Sequence, residues 1–97
     1  MVKIVWWKLA LLQLKEAFDY IKKDSLQSAE NVRNTIFSAT DNLKYNPEIY
    51  PLDKYRKNND GTFRAFEIYS YRIAYQITKS EIRILRVRHT KQEPLGY

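Results

Sequence analysis

The sequence has 97 residues and a mass of 11.7 kDa, which allows one compact domain and excludes a multidomain enzyme. It has no cysteine and a single histidine, His89, which excludes disulfide frameworks, cysteine-bound metals and sites that need two imidazoles. Its two glycines, Gly61 and Gly96, are too far apart for a glycine-rich phosphate loop. We therefore expect one domain over residues 1–97, with no metal and no cofactor.

The net charge of +6 is concentrated in the second part of the chain. Residues 1–60 contain ten basic and eight acidic residues, whereas residues 61–97 contain seven basic and three acidic ones. Five of those seven are arginines, whose planar guanidinium binds phosphate or carboxylate through two parallel hydrogen bonds. This distribution predicts an anionic partner, either RNA or an acidic protein segment.

Membrane insertion is not predicted. The apolar stretch from Ile4 to Leu14 is interrupted by Lys8 and Gln13, and it is shorter than the roughly 20 residues that a bilayer-spanning helix needs. We expect a cytoplasmic protein.

The first elements are a strand and two helices. Val2 to Trp7 alternates as a short strand, and from Lys8 to Lys23 the apolar period becomes helical. Asp24, with Gln27 three residues later, predicts a capping box for a second helix that Pro47 ends near Tyr45. The short connection predicts an antiparallel helical hairpin.

A loop and three strands complete the predicted order. Asn46 to Gly61 contains two prolines and a charged run, which predicts a loop without regular structure; it is either functional or a spacer along the sheet edge. From Thr62 the composition predicts a three-stranded meander. In the last strand the alternation of apolar residues shifts by one position, which predicts a β-bulge near Ile84 and Leu85 or burial on both faces. The fold class is therefore α+β, with the hairpin packed on a mainly antiparallel four-stranded sheet.

The strongest candidate site is a set of arginines on the exposed face of this sheet. Guanidinium groups on neighbouring strands lie about 5 Å apart and repel each other unless an anion lies among them. Solvated strand residues that cover apolar surface are the alternative. The candidate binding residues are Arg64, Arg72, Arg83, Arg86, Arg88 and Lys91, with Lys79 nearby.

His89 is the natural proton donor or acceptor, because imidazole titrates near neutral pH. RNA cleavage at a 2′-hydroxyl needs a base, cations for the phosphate and a proton for the leaving oxygen. His89, Arg72 and Tyr97 are the candidates for these roles if the protein is a ribonuclease. A packed or hydrogen-bonding histidine is the alternative for His89.

In their order along the chain, several segments resemble the RelE/ParE superfamily of type II toxins, the toxins of plasmid stabilisation systems. The resemblance rests on Ala10 to Ile21 (ALLQLKEAFDYI), Asn46-Pro47, Phe63-Arg64, Tyr71 to Tyr75 (YRIAY) and Ile84 to His89 (ILRVRH). It implies a toxin that arrests growth and a cognate antitoxin that covers the basic surface, in a homodimer or a heterotetramer.

The resemblance implies two mechanisms. RelE-like members cleave ribosome-bound mRNA without a metal, whereas ParE-like members inhibit DNA gyrase and have no known chemistry. Arg72 matches the RelE-type phosphate-binding arginine and Arg64 matches a strand lysine, but Gln92 stands where RelE carries a catalytic arginine. We expect the ParE-like activity. The alternatives are a metal-independent endoribonuclease and a noncatalytic RNA-binding module.

Overall fold

The computed structural model describes residues 2–92 and 96–97. Strand β1 (Lys3–Trp6) is followed by helices α1 (Lys8–Lys22) and α2 (Leu26–Asn42), and then by strands β2 (Phe63–Ile68), β3 (Tyr71–Ile77) and β4 (Glu81–His89). The sheet order is β1-β4-β3-β2, and only the β1–β4 pair is parallel. The predicted α+β architecture is confirmed.

Both helices pack on one side of the sheet, because each carries an apolar stripe that needs cover. Helix α1 buries Ala10, Leu14 and Ala17, as the spacing predicts. The strands supply alternating residues to the same core. The strand residues of the core are Phe66, Tyr71, Ile73, Tyr75, Ile82, Ile84 and Val87.

The start and the end of α2 differ from the prediction. Ser25, not Asp24, caps the helix, since the Ser25 Oγ accepts a hydrogen bond of 3.1 Å from the Ser28 N–H. The capping-box assignment was wrong because both residues are suitable caps and sequence alone did not choose between them. The helix ends at Asn42, three residues before Tyr45.

The predicted bulge in β4 is present. Tyr75 pairs with Ile84, but the next β3 position, Ala74, pairs with Arg86, which leaves Leu85 as the extra residue. Val87 consequently faces the helices, opposite Ile73. The bulge thus keeps Arg83, Arg86 and Arg88 on one face despite the change of phase.

The segment between α2 and β2 runs along the outer edge of the sheet. Leu52 forms an isolated antiparallel bridge with Arg64, and the Asp53 N–H donates to the Phe63 carbonyl at 2.9 Å. These bonds satisfy groups of β2 that would otherwise form an open sheet edge. The segment therefore has a defined place, and it brings Asp53 to the sheet.

In the parts of the chain that the structure describes, neither helix is long and apolar enough to cross a bilayer.

Candidate functional site: a cationic sheet face

The face of the sheet that points away from the helices, called here the open face, carries most of the predicted arginines. In the strand register Arg72 lies opposite Arg88, and Gln76 lies opposite Arg83. Because residues directly opposite each other share a face, Arg72 and Arg88 place like charges side by side. The open-face residues of β2, β3 and β4 are Phe63, Ala65, Glu67, Arg72, Ala74, Gln76, Arg83, Arg86 and Arg88.

Carboxylates within the chain compensate part of this charge. The Arg72 guanidinium contacts the Asp53 carboxylate at 2.9 Å and the Glu67 carboxylate at 3.4 Å. At the other end of the open face, the Arg83 Nε contacts the Glu81 Oε2 at 3.0 Å. Glu67 therefore balances part of the Arg72 charge, but Asp53 has the shorter contact with Arg72.

Asp53 is buried, with 2% of its surface exposed. Its Oδ1 accepts hydrogen bonds from Arg72 and from the Tyr55 N–H at 3.0 Å, and its Oδ2 accepts one from the Tyr97 hydroxyl. Burial alone would raise the pKa of Asp53, but the hydrogen bonds from Tyr97 and Arg72 outweigh it and lower that pKa. The carboxylate is therefore held in its charged form.

Tyr97 lies against two guanidinium groups. The guanidinium carbons of Arg86 and Arg56 are 4.5 Å and 5.1 Å from its ring centroid, and Arg56 is also 3.9 Å from the centroid of Phe63. Burial raises the pKa of the Tyr97 hydroxyl, and the bond to Asp53 raises it further. Burial also lowers the pKa of Arg86, as does the positive charge of Arg88. Tyr97 therefore remains an uncharged hydrogen-bond donor to Asp53.

His89 is positioned differently from the arginines. It lies opposite Tyr71, on the helix side of the sheet, and the two rings meet edge to face with centroids 5.1 Å apart. Its Nδ1 accepts a hydrogen bond of 3.0 Å from the Lys91 N–H. His89 nevertheless lines one wall of a cavity of about 60 Å³, together with Arg72, Arg86, Arg88 and Tyr97.

Three other candidates lie apart from the arginines of the open face. Arg64 faces the helix side, opposite Tyr75, and its Nη1 donates to the Tyr50 carbonyl at 2.7 Å. The expectation that Arg64 joins the open face was wrong. Successive residues of a strand point to opposite faces of the sheet, and the neighbours Phe63 and Ala65 are the ones on the open face. Lys91 is exposed beyond the end of β4, and Lys79 is exposed between β3 and β4. The functional roles of Arg64, Lys91 and the arginines remain predictions.

Sequence reasoning missed Asp53 and Arg56. Both lie in a charged run between Pro51 and Lys57, a pattern typical of a solvated loop. No hydrophobic periodicity in this segment predicts that Asp53 is buried. The only indication in the sequence is that it is the single acidic residue among three basic ones. In the described residues, no group of three or more His, Asp or Glu side chains is placed to hold a metal ion.

A family model described as the ParE toxin of the type II toxin-antitoxin system, parDE, matches residues 4–94. The chain belongs to the ParE toxin family. Membership confirms the expected place in the RelE/ParE superfamily of type II toxins. No curated protein matches this ParE-family sequence.

The solved structures that resemble the ParE-family chain include the following two. The chromosomal ParDE system from P. aeruginosa gives a TM-score of 0.72 at 18% identity, covering 94% of this chain and 98% of that one. The YoeB dimer from Staphylococcus aureus gives a TM-score of 0.57 at 12% identity, covering 91% and 95% of the two chains. At these identities the similarity establishes the fold.

Proposed function

We propose that residues 1–97 act as one cytoplasmic toxin domain that binds DNA gyrase through the open face and arrests growth without chemistry of its own. The observation that carries the proposal is the state of Arg72. The Asp53 and Glu67 carboxylates already hold its guanidinium. A guanidinium fixed in this way suits a shaped binding surface better than the capture of a reacting phosphate.

The proton-transfer groups support the same proposal. Cleavage requires a base and an acid directed at the reacting atoms. The Tyr97 hydroxyl donates to Asp53, and the His89 Nδ1 is occupied by the Lys91 N–H. A nuclease would have to break the Tyr97 bond or work only through the His89 Nε2.

A metal-independent, ribosome-dependent endoribonuclease is the second candidate. It is favoured by the cavity that His89 and Tyr97 line together with Arg72, Arg86 and Arg88. In this reaction Arg72 would hold the phosphate, while His89 and Tyr97 would exchange protons with the 2′-hydroxyl and the leaving oxygen. A noncatalytic RNA-binding module would use the same cations without cleavage.

The proposed partner is a cognate antitoxin whose acidic segment covers the open face. Similarity to a ParDE toxin-antitoxin structure supports an antitoxin, and similarity to a YoeB dimer supports self-association, so we propose a homodimer or a heterotetramer with antitoxin. The arginines of the open face supply the charge complementarity.

Induced expression of the wild type and of Arg72→Ala and His89→Ala variants tests the function. If the protein binds gyrase, induction should trap gyrase cleavage complexes and cause an SOS response, while transcripts stay intact. The His89→Ala variant should then still arrest growth fully. Arg72→Ala should relieve the arrest. Arg33→Ala is the control, because it removes the same charge from α2.

Cleaved mRNA within minutes, lost in His89→Ala, would contradict gyrase binding and establish the endoribonuclease. Arrest with neither signature would contradict both mechanisms.

A further inference from the structure

Among the residues that the structure describes, Asp53 is the only charged side chain that is buried. A buried carboxylate is costly unless hydrogen bonds and an opposite charge compensate it. Arg72 and Tyr97 provide that compensation from two separate parts of the chain. The position of Asp53 therefore depends on both partners, and theirs depends on Asp53.

The backbone of Tyr97 is also tied to the segment that contains Asp53. The Tyr97 N–H donates to the Tyr55 carbonyl at 3.2 Å, and the Lys57 N–H donates to the Tyr97 carbonyl at 2.7 Å. The side chain of Lys57 passes close to Gly96, where an added Cβ would lie 2.8 Å from the Lys57 Cε. The segment at Gly96 and Tyr97 is thus fitted against the loop by main-chain bonds and by close packing.

These bonds place an aromatic ring on one arginine of the open face and on one arginine of the loop. The Tyr97 ring lies against the guanidinium groups of Arg56 and Arg86, and the Asp53 carboxylate forms an ion pair with the Arg72 guanidinium. An anionic ligand that approaches these groups must compete with contacts that the chain already makes. The competition is strongest for a flexible polyanion, which gains affinity from charge alone.

We propose that Asp53 is a positioning residue that clamps Tyr97 on the open face, and that this clamp reduces binding of nonspecific polyanions. A cationic surface without such cover would bind RNA and other polyanions irrespective of sequence. A specific partner would have the shape and charge to bind beside the clamp or to open it. The inference rests on the proposed function only in treating the open face as the binding surface.

Hydrogen exchange of the purified full chain tests the clamp itself. Asp53→Asn and Tyr97→Phe should accelerate exchange of the Lys57 amide at least about tenfold, because that amide donates to the Tyr97 carbonyl. The amides of Ile73 and Tyr75 in β3 report global stability and should accelerate less than the Lys57 amide does. Tyr69→Phe, at an exposed tyrosine, is the matched control. An unchanged Lys57 rate in both variants would overturn the clamp.

The ionisation of Tyr97 gives a readout that loss of packing alone would not produce. Because Asp53 helps raise the pKa of the Tyr97 hydroxyl, Asp53→Asn should lower it, whereas Tyr69→Phe should not. Ring carbon shifts followed through alkaline pH would measure this. A Tyr97 titration unchanged in Asp53→Asn would contradict the assigned contact.

Binding of poly-L-glutamate at low salt tests the effect on polyanions. Tyr97→Phe leaves the charge unchanged and should raise the affinity about three- to tenfold, because the ring loses its anchor. Asp53→Asn should raise it more than Asp60→Asn, an exposed control with the same change of charge. The double variant Asp53→Asn/Tyr97→Phe should match Asp53→Asn alone, since both changes open one clamp.

Additive effects, or equal effects of Asp53→Asn and Asp60→Asn, would reduce Asp53 to a simple charge and overturn the proposal. All these measurements use purified protein. They therefore remain valid whether the cellular target is gyrase or mRNA.

Discussion

The Asp53 carboxylate and the Tyr97 hydroxyl respond to pH in opposite directions. Because the folded pKa of Asp53 is lowered, its contribution to stability is present above the unfolded pKa of about 4 and is lost as the pH falls. The folded pKa of Tyr97 is raised, so its contribution is present below about pH 10 and is lost as the pH rises. Burial also raises the pKa of Tyr75 to about 12, which adds to the alkaline loss.

We expect the free energy of unfolding to depend less on pH in Asp53→Asn than in the wild type at acid pH. Between about pH 5 and pH 2 the free energy of unfolding of the wild type should fall by about 1–3 kcal/mol more than that of Asp53→Asn. Urea denaturation at a series of pH values measures this. Asp19→Asn, which removes an exposed ion pair on α1, should leave the slope nearly unchanged. Equal slopes for the wild type and Asp53→Asn would contradict the linkage.

Tyr69 stores backbone strain in the turn between β2 and β3. Its φ is +54°, a conformation that costs free energy for a residue with a side chain. Tyr69→Gly should therefore raise the free energy of unfolding by about 0.5–1 kcal/mol, as judged by chemical denaturation. Ser70→Gly is the control, because Ser70 is not at positive φ and should gain nothing. A loss of stability in Tyr69→Gly would show that the exposed ring contributes more than the strain costs.

At the scale of elements, α1 supplies a hydrogen-bond acceptor to the part of β4 that does not pair with β1. Strand β1 pairs with Glu81 to Ile84, whereas the Val87 N–H donates to the Gln13 Oε1 of α1 at 2.8 Å. A helix side chain thus supplies a bond that a neighbouring strand would otherwise make.

Gln13→Ala should leave the Val87 N–H without its acceptor and cost about 1–3 kcal/mol of unfolding free energy. Gln13→Glu keeps an acceptor oxygen and should lose less. Gln27→Ala removes the same group from an exposed position of α2 and should be near neutral. Thermal or urea denaturation would compare them, and a neutral Gln13→Ala would mean that water replaces the amide.

Elements with a clear hydrophobic periodicity could be predicted from the sequence, whereas contacts between distant segments could not. The stripe of Ala10, Leu14 and Ala17 and the bulge at Leu85 follow from local patterns, and the structure has both. The cap at Ser25 was missed because two adjacent residues satisfy the same rule. The burial of Asp53 depends on Arg72 and Tyr97, which are 19 and 44 positions away, and no local pattern encodes such a contact.

For the whole molecule, the net charge of +6 is a cost that an anionic partner can relieve. Asp53, Glu67 and Glu81 compensate some arginines, but the chain as a whole keeps its excess. A ligand that binds only the folded state raises stability by mass action. Antitoxin or poly-L-glutamate should therefore raise the melting temperature.

We expect a rise of about 10–20 °C at about 100 times the dissociation constant, followed by calorimetry or by circular dichroism. At about 1 M salt the effect of poly-L-glutamate should disappear, because the Debye length falls to about 3 Å. A neutral polymer of similar length is the control. No shift at low salt would mean that internal carboxylates already satisfy the arginines.

The parallel pair between β1 and β4 also constrains when the protein can fold. Lys3 to Trp6 must wait for Glu81 to Ile84 before the pair can form, so the sheet closes only after nearly the whole described chain has been synthesised. Contacts between such distant segments slow folding, and they can form only after β4 has been synthesised. A nascent chain that lacks β4 therefore cannot present the finished cationic face, and the proposed binding surface forms only once β4 has been synthesised.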